Sequence, residues 1–205
     1  MKIFKFFLSF EKEEQWLNKM AKQGYLFEKK ALCYHFKKVD FPKATFRIDY
    51  RKFSNYQDFL DYETMFEDSG WKHIVGTKSS GVQYFKKADS NSDEDIFSDV
   101  RSRAGRYKRI ANMWLTCELA FIAYFIVLKS QGMISIQTLL TPKDWYLTPG
   151  LWELDGLGFL WCFLFETPFA LFRGCSWLFC IFFIILYSFF AIKSTLLYDK
   201  SLNKI

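Results

Sequence analysis

Gln15-Trp16-Leu17-Asn18-Lys19-Met20-Ala21-Lys22-Gln23-Gly24-Tyr25, followed by Tyr34-His35-Phe36-Lys37-Lys38, returns later as Asp58-Phe59-Leu60, Met65-Phe66-Glu67-Asp68-Ser69-Gly70-Trp71 and Tyr84-Phe85-Lys86-Lys87. Each time an amphipathic helix stops at a glycine, an aromatic follows at once, and an aromatic-Lys-Lys strand comes next. In the first copy Trp16, Leu17 and Met20 fall on one helical face, and the Ser9 hydroxyl can cap the helix start. In the second, Phe59, Tyr62, Met65 and Phe66 form the apolar face, and Ser54 with Gln57 three residues on reads as a capping box. Gly24 and Gly70 end the two helices, because glycine reaches the left-handed conformation that helix C-termini commonly need.

Outward from the helices the strands can be placed. Residues 3–8 are a short apolar run that fits a strand, and residues 25–27 and 31–39 read as a hairpin. Phe41-Pro42 marks a turn. Residues 44–53 alternate, with Phe46, Ile48 and Tyr50 on one side and Arg47, Asp49 and Arg51 on the other, the pattern of a half-buried strand. Trp71 opens the next strand, and Gly81 makes the turn before residues 82–87. The order is β-α-β-β, twice. It predicts an α+β unit over residues 1–88, an antiparallel sheet with two helices on one face, followed by transmembrane α-helices.

Charge divides the chain further. Residues 1–100 hold 17 Lys/Arg and 16 Asp/Glu, and residues 111–205 hold six of each. The excess of +6 therefore sits almost wholly in residues 101–110, with Arg101, Arg103, Arg106, Lys108 and Arg109 and no acid. Directly before a hydrophobic run, such a cluster points to a membrane surface rather than to nucleic acid. Residues 89–109 are thus read as an acidic linker and a basic juxtamembrane helix. The acidic stretch lacks the glycine and terminal glutamate of a calcium loop.

Within the span expected over residues 110–129, the nineteen residues 110–128 contain one formal charge, Glu118, and come close to the ~20 residues that span a bilayer. Residues 175–198 hold eighteen uncharged positions before Lys193. Between them, residues 130–174 carry Glu153, Asp155, Glu166 and Pro168, and their uncharged core of ten residues, 156–165, suits an interfacial or re-entrant segment. Two spans rather than three return the tail, residues 199–205, to the side of the basic cluster, as the positive-inside rule prefers. The α+β unit is then expected in the cytoplasm, and residues 130–174 outside, with Trp145, Tyr146, Trp152 and Trp161 at the aromatic interface. The start, Lys2 to Phe10, has too short an apolar core for a signal peptide. Glu118 and Glu166 are the intramembrane polar residues to weigh for function, since an unpaired carboxylate in lipid is costly.

Enzyme motifs are missing. His35 and His73 lie on predicted strands outside any HxxxH pattern, and no GxSxG, P-loop or GxGxxG occurs. The five cysteines show no CxxC spacing and read as buried small apolar residues. The Lys-Lys pairs beside Phe36 and Phe85 suggest an RNA-stacking sheet, but a net charge near +1 in residues 1–100 argues against nucleic acid. The reading is non-enzymatic, with no cofactor and no metal.

Phe6-Phe7-Leu8-Ser9-Phe10 leading into Glu13-Glu14-Gln15-Trp16-Leu17 and Met20-Ala21-Lys22-Gln23-Gly24 resembles the opening of a family catalogued as domain of unknown function 2812. Tyr34-His35-Phe36, Arg47-Ile48-Asp49-Tyr50, Gly70-Trp71, Gln83-Tyr84-Phe85 and Asp95-Ile96-Phe97-Ser98-Asp99 extend the resemblance over about residues 1–110. It implies a membrane protein of low-GC Gram-positive bacteria, often encoded beside a PadR-like transcriptional repressor, with no catalytic set to carry over. Two functional readings follow. One is a membrane-tethered regulatory or sensory module that binds a protein partner, and the other a small transport or envelope-stress component using Glu118 and Glu166.

Overall fold

The computed structural model describes residues 1–40, 44–89, 93–132, 134, 137 and 140–203. They divide into two compact units, Met1–Asn112 with Ile192–Ile205, and Met113–Ala191.

In the first unit the duplication is carried by the backbone. The first copy is β1 (Lys2–Ile3), α1 (Phe10–Lys22), β2 (Tyr25–Lys30) and β3 (Tyr34–Lys38); the second is β4 (Phe46–Tyr50), α2 (Tyr56–Asp68), β5 (Trp71–Val75) and β6 (Val82–Lys87). The strands form two three-stranded antiparallel sheets, β1-β3-β2 and β4-β6-β5, instead of the one expected. In each copy the first strand pairs with the third and the third with the second. The second strand is bulged at the same place in both, after Phe27 and after His73. A bulge twists the strand and breaks the ladder locally. Gly24 and Gly70 close the helices at φ +88° and +78°, conformations that side chains with a Cβ avoid.

Side chains hold the two sheets together. α1 packs on β2 of its own sheet and on β4 of the other. Phe27 bridges them, with ring centroids 5.8 Å from Phe46 and 5.1 Å from Tyr84. A second cluster joins Tyr62, Phe66, Trp71 and Phe85. Leu17, Phe46, Ile48 and Phe85 are fully buried. Large apolar side chains removed from water in this way supply most of the driving force for folding.

Some local expectations are corrected. The apolar run after Met1 makes only a two-residue strand, and Phe4 and Phe6 stay exposed. Met65 is 51% exposed, so the buried face of α2 is Phe59, Tyr62 and Phe66. Asp49, assigned to the open side of β4, is 3% exposed, because Tyr62 and Arg109 cover that side as well. The Phe41-Pro42 turn lies outside the described residues.

The helix α3 (Val100–Ser130) begins where Asp99 Oδ1 accepts the Ser102 N–H at 2.7 Å, and α4 (Gly156–Leu202) ends the described chain. Within the second unit α3 and α4 run antiparallel. Trp114 stacks on Phe190, Phe121 on Phe183, and Leu128 packs with Trp177 and Cys180. Residues 156–165, expected as a separate interfacial segment, are the first turns of α4, so the span expected over 175–198 is part of a 47-residue helix. Glu166 and Pro168 are local breaks in the apolar pattern. In the structure the Glu166 carboxylate turns outward to the preceding loop, and Thr167 Oγ1 donates to the Phe163 carbonyl at 2.6 Å. The helix continues through Pro168, which forfeits one i→i−4 hydrogen bond, the one to the Leu164 carbonyl.

Candidate functional site

The start of α1 carries three carboxylates, Glu11 and Glu13 in its first turn and Glu14 directly after. Ser9 caps this turn, its hydroxyl accepting the Lys12 N–H at 3.4 Å. Acids here complement the helix dipole, but position matters more than dipole. Glu11 and Glu14, three residues apart, share a face, while Glu13 points into the β2–β3 hairpin.

On α3, Arg103, Arg106 and Arg109 recur every three residues, and the middle one, Arg106, pairs with that acidic face. Arg106 is 1% exposed. Its Nη1 donates to Glu14 Oε1 and to the Ile48 carbonyl, each at 2.5 Å, and its Nη2 lies 3.1 Å from Glu11 Oε1. Arg109 Nη2 reaches Asp49 Oδ1 at 2.5 Å and its Nε donates to the Tyr50 carbonyl. Arg103 pairs with Asp95, which also pairs with Arg47 at 3.4 Å. Beside them the Tyr107 hydroxyl accepts the Phe10 N–H at 2.8 Å and donates to Glu11. The result ties the start of α3 to α1 and β4.

Burial and charge set the protonation states. Burial works against the Arg106 charge, but Glu14 and Glu11 outweigh it and hold the guanidinium in its charged form. Burial also pushes Glu11 upward, yet the Tyr107 hydroxyl and Arg106 bring its carboxyl below the usual range. For Glu14 burial wins over Arg106, and its carboxyl is raised.

Glu13 forms a second buried polar cluster. Its Oε1 accepts from Tyr34 and Tyr84 hydroxyls, both at 2.6 Å, and from Lys30 Nζ at 2.9 Å. Burial and the Glu13 charge keep both phenols well above their ordinary range, so they remain donors. This cluster and Tyr107 escaped the sequence reading; the only advance signal was an aromatic inside a basic run and a third acid in a helix start.

The basic cluster therefore divides. Arg103, Arg106 and Arg109 are ion-paired within the folded unit, while Arg101 and Lys108 are exposed. Glu118 and Glu166 are not left bare either. Glu118 Oε1 accepts the Ser188 hydroxyl at 2.7 Å. Glu166 accepts backbone N–H groups of Leu147 and Thr148 and lies 3.3 Å from Arg173 Nη2. His73 is held between Glu63 at 2.6 Å and Gln83 at 2.9 Å, so both ring nitrogens are engaged in tying α2 to the β5–β6 hairpin. His35 is held below its usual range first by burial and then by Lys29 and Lys2. Among the described residues no three His, Cys, Asp or Glu side chains converge as a metal site would require.

Two apolar stretches complete the inventory. Among the described residues, α3 and α4 are each long and apolar enough to cross a bilayer. Searches of curated proteins and of solved structures find no match to the chain. A family model described as protein of unknown function (DUF2812) matches residues 9–119, more than half of the 205 residues and including every member of the arginine-carboxylate site. The chain belongs to the DUF2812 family.

Proposed function

We propose that this is a non-enzymatic, multi-pass bacterial membrane protein whose α+β unit lies in the cytoplasm as a regulatory or sensory module for a protein partner. The observation that carries the reading is buried Arg106, shared between Glu11, Glu14 and the Ile48 carbonyl. One helix, α3, holds both this arginine and an apolar run, so a change in the surroundings of the apolar part reaches ion pairs on α1 and β4. Breaking one partner of a buried ion pair is costly, which makes such a contact suited to two discrete arrangements.

Burial supports the membrane half. A core helix of a soluble protein is mostly covered, but only 6% of the apolar window of α3 and 17% of that of α4 are buried. Leu119, Ile126, Trp161, Phe165 and Phe172 are among the side chains left exposed. The exposed Arg101 and Lys108 fit the cytoplasmic side under the positive-inside rule. A PadR-like transcriptional regulator is the first partner to test, on the strength of the family resemblance. Transport through Glu118 and Glu166 draws less support, since both carboxylates already have hydrogen-bond donors.

The test is affinity purification of the tagged full chain from mild-detergent extracts, with transcript profiling of a deletion strain. The reading expects one co-purifying regulator, lost in Arg106→Ala, and a confined set of altered transcripts. No specific partner together with an unchanged transcriptome would sink it.

A further inference from the structure

Beside α1, within the first unit, the last turns of α4 border a groove of about 600 Å³. Its walls mix two chemistries. Phe6, Leu196 and Leu197 supply apolar surface, with Phe6 69% and Leu196 58% exposed. Lys12, Lys193 and Lys200 supply charge, and none of the three forms an ion pair among the described residues. The one acid on the wall, Glu11, is already committed to Arg106, Tyr107 and, at 3.4 Å, the Ser201 hydroxyl. The groove thus offers three uncompensated cations next to exposed apolar side chains. Lys193 directly follows the long apolar run of α4 in sequence, and Lys200 stands two turns further on the same face.

We infer that the groove binds an anionic phospholipid, its phosphate among Lys12, Lys193 and Lys200 and its acyl chains along Phe6, Leu196 and Leu197. Lysine is a flexible point charge that suits a phosphate, and long side chains at the end of an apolar helix reach naturally to headgroups. A soluble anion would use the lysines but leave the apolar wall wet; a zwitterionic lipid would use the wall but bring its own cation. Occupancy also bears on the arginine site, because Glu11 lines the groove and pairs with Arg106.

The inference rests on the membrane reading above, so the two are tested separately. Alkaline carbonate extraction of membranes decides whether the chain is embedded. The purified full chain is then melted, by tryptophan fluorescence, in detergent micelles doped with dioleoylphosphatidylglycerol, dioleoylphosphatidylcholine or, as a headgroup alone, glycerol phosphate. Only phosphatidylglycerol is expected to raise the melting temperature. The K12Q/K193Q/K200Q variant should melt like the wild type without lipid and require roughly 100-fold more phosphatidylglycerol, about fivefold per lysine. Leu196→Ser should weaken the response while keeping the lysines. Equal shifts with both lipids, an equal shift with glycerol phosphate, or an unchanged dose in the triple variant would each overturn the lipid site, even for a chain that resists extraction.

Discussion

The two copies of the repeat share a backbone and differ in what their helices bury. Counted from the caps, Glu13 of α1 stands where Phe59 stands in α2, and Met20 where Phe66 stands. Copy two buries Phe59, Tyr62 and Phe66 against β5 and β6, an interface of rings. Copy one buries Glu13 and Glu14 as well as Leu17 and Met20. The difference teaches where α3 is received. The aromatic copy packs its helix ring against ring, with Ile96 at the edge of the cluster, whereas the acidic copy buries Glu14, whose counter-charge Arg106 comes from outside the repeat. Duplication supplied the geometry, and divergence near the start of α1 supplied one side of the docking site, β4 of copy two supplying the other.

The largest effect should come from removing that outside partner. Arg106→Ala leaves Glu14 buried without its counter-charge and is expected to cost about 3–5 kcal/mol, read as a large drop in melting temperature of the full chain in detergent. Arg106→Met combined with Glu14→Leu should recover only part of the loss: an apolar pair of similar volume carries no desolvation penalty, but it leaves the Ile48 carbonyl without its Arg106 donor and the Ile48 N–H without the Glu14 carboxylate. Arg103 and Arg109 are 47% and 40% exposed, so their alanine variants should move melting much less. Equal losses at all three positions would break the distinction between a buried anchor and its neighbours. Next in size is Tyr84→Phe, which deletes one of three donors to buried Glu13 and is expected to cost about 1.5–3 kcal/mol, as for a hydrogen bond to a charged group. The corresponding loss in copy one's partner tyrosine, Tyr34→Phe, should match it.

Acid sharpens the comparison further, because the two carboxylates that share Arg106 are shifted in opposite directions. Burial raises Glu11, but Tyr107 and Arg106 bring it below its unfolded value, so its contribution is present above about pH 4.3 and lost as pH falls through the folded value. Burial raises Glu14, so its contribution runs the other way, present below about pH 4.3 and lost as pH rises through its higher folded value. Melting temperature recorded from pH 7 to pH 3 should therefore fall less steeply in Glu11→Gln than in the wild type, and at least as steeply as the wild type in Glu14→Gln. A flatter acid limb in Glu14→Gln instead would reverse the assignment.

Most of the framework was legible because repetition is visible without knowing any contact. The helix-glycine-aromatic unit located α1, α2, β2 and β5, and the aromatic-Lys-Lys pattern located β3 and β6. What escaped was whatever depends on a third element arriving. Asp49 looked solvent-facing by alternation, since nothing in residues 44–53 says that Tyr62 and Arg109 will cover its side. The basic run looked like a membrane collar, since composition cannot tell an arginine that pairs with Glu14 from a lysine that stays in water. α4 looked interrupted because Glu166 and Pro168 are read locally as breaks, while the donors that receive Glu166 lie some eighteen residues earlier, at Leu147 and Thr148.

The smallest predicted effect tests whether the repeat itself is a better guide than local motifs. Ser54 and Gln57 satisfy the capping-box pattern, yet the cap of α2 is Asn55, whose Oδ1 accepts the Asp58 N–H at 2.7 Å. Gln57 turns instead to Asp61 at 2.8 Å. Aligning the copies on Gly24 and Gly70 would have placed Asn55 opposite Ser9 from the start, because both stand one residue before the first helical position. An asparagine is as good an N-cap as a serine, so no penalty pushed the cap back to Ser54. Asn55→Ala should therefore cost about 1 kcal/mol, while Ser54→Ala, at an exposed site that caps nothing, should stay within about 0.5 kcal/mol. Ser9→Ala in copy one should exceed both, because that hydroxyl also contacts Glu11 and Tyr107 and so reaches the arginine site. Equal costs for Ser9 and Asn55 would mean that the two helix starts are energetically alike, and that the divergence between the copies begins only at Glu13 and Glu14.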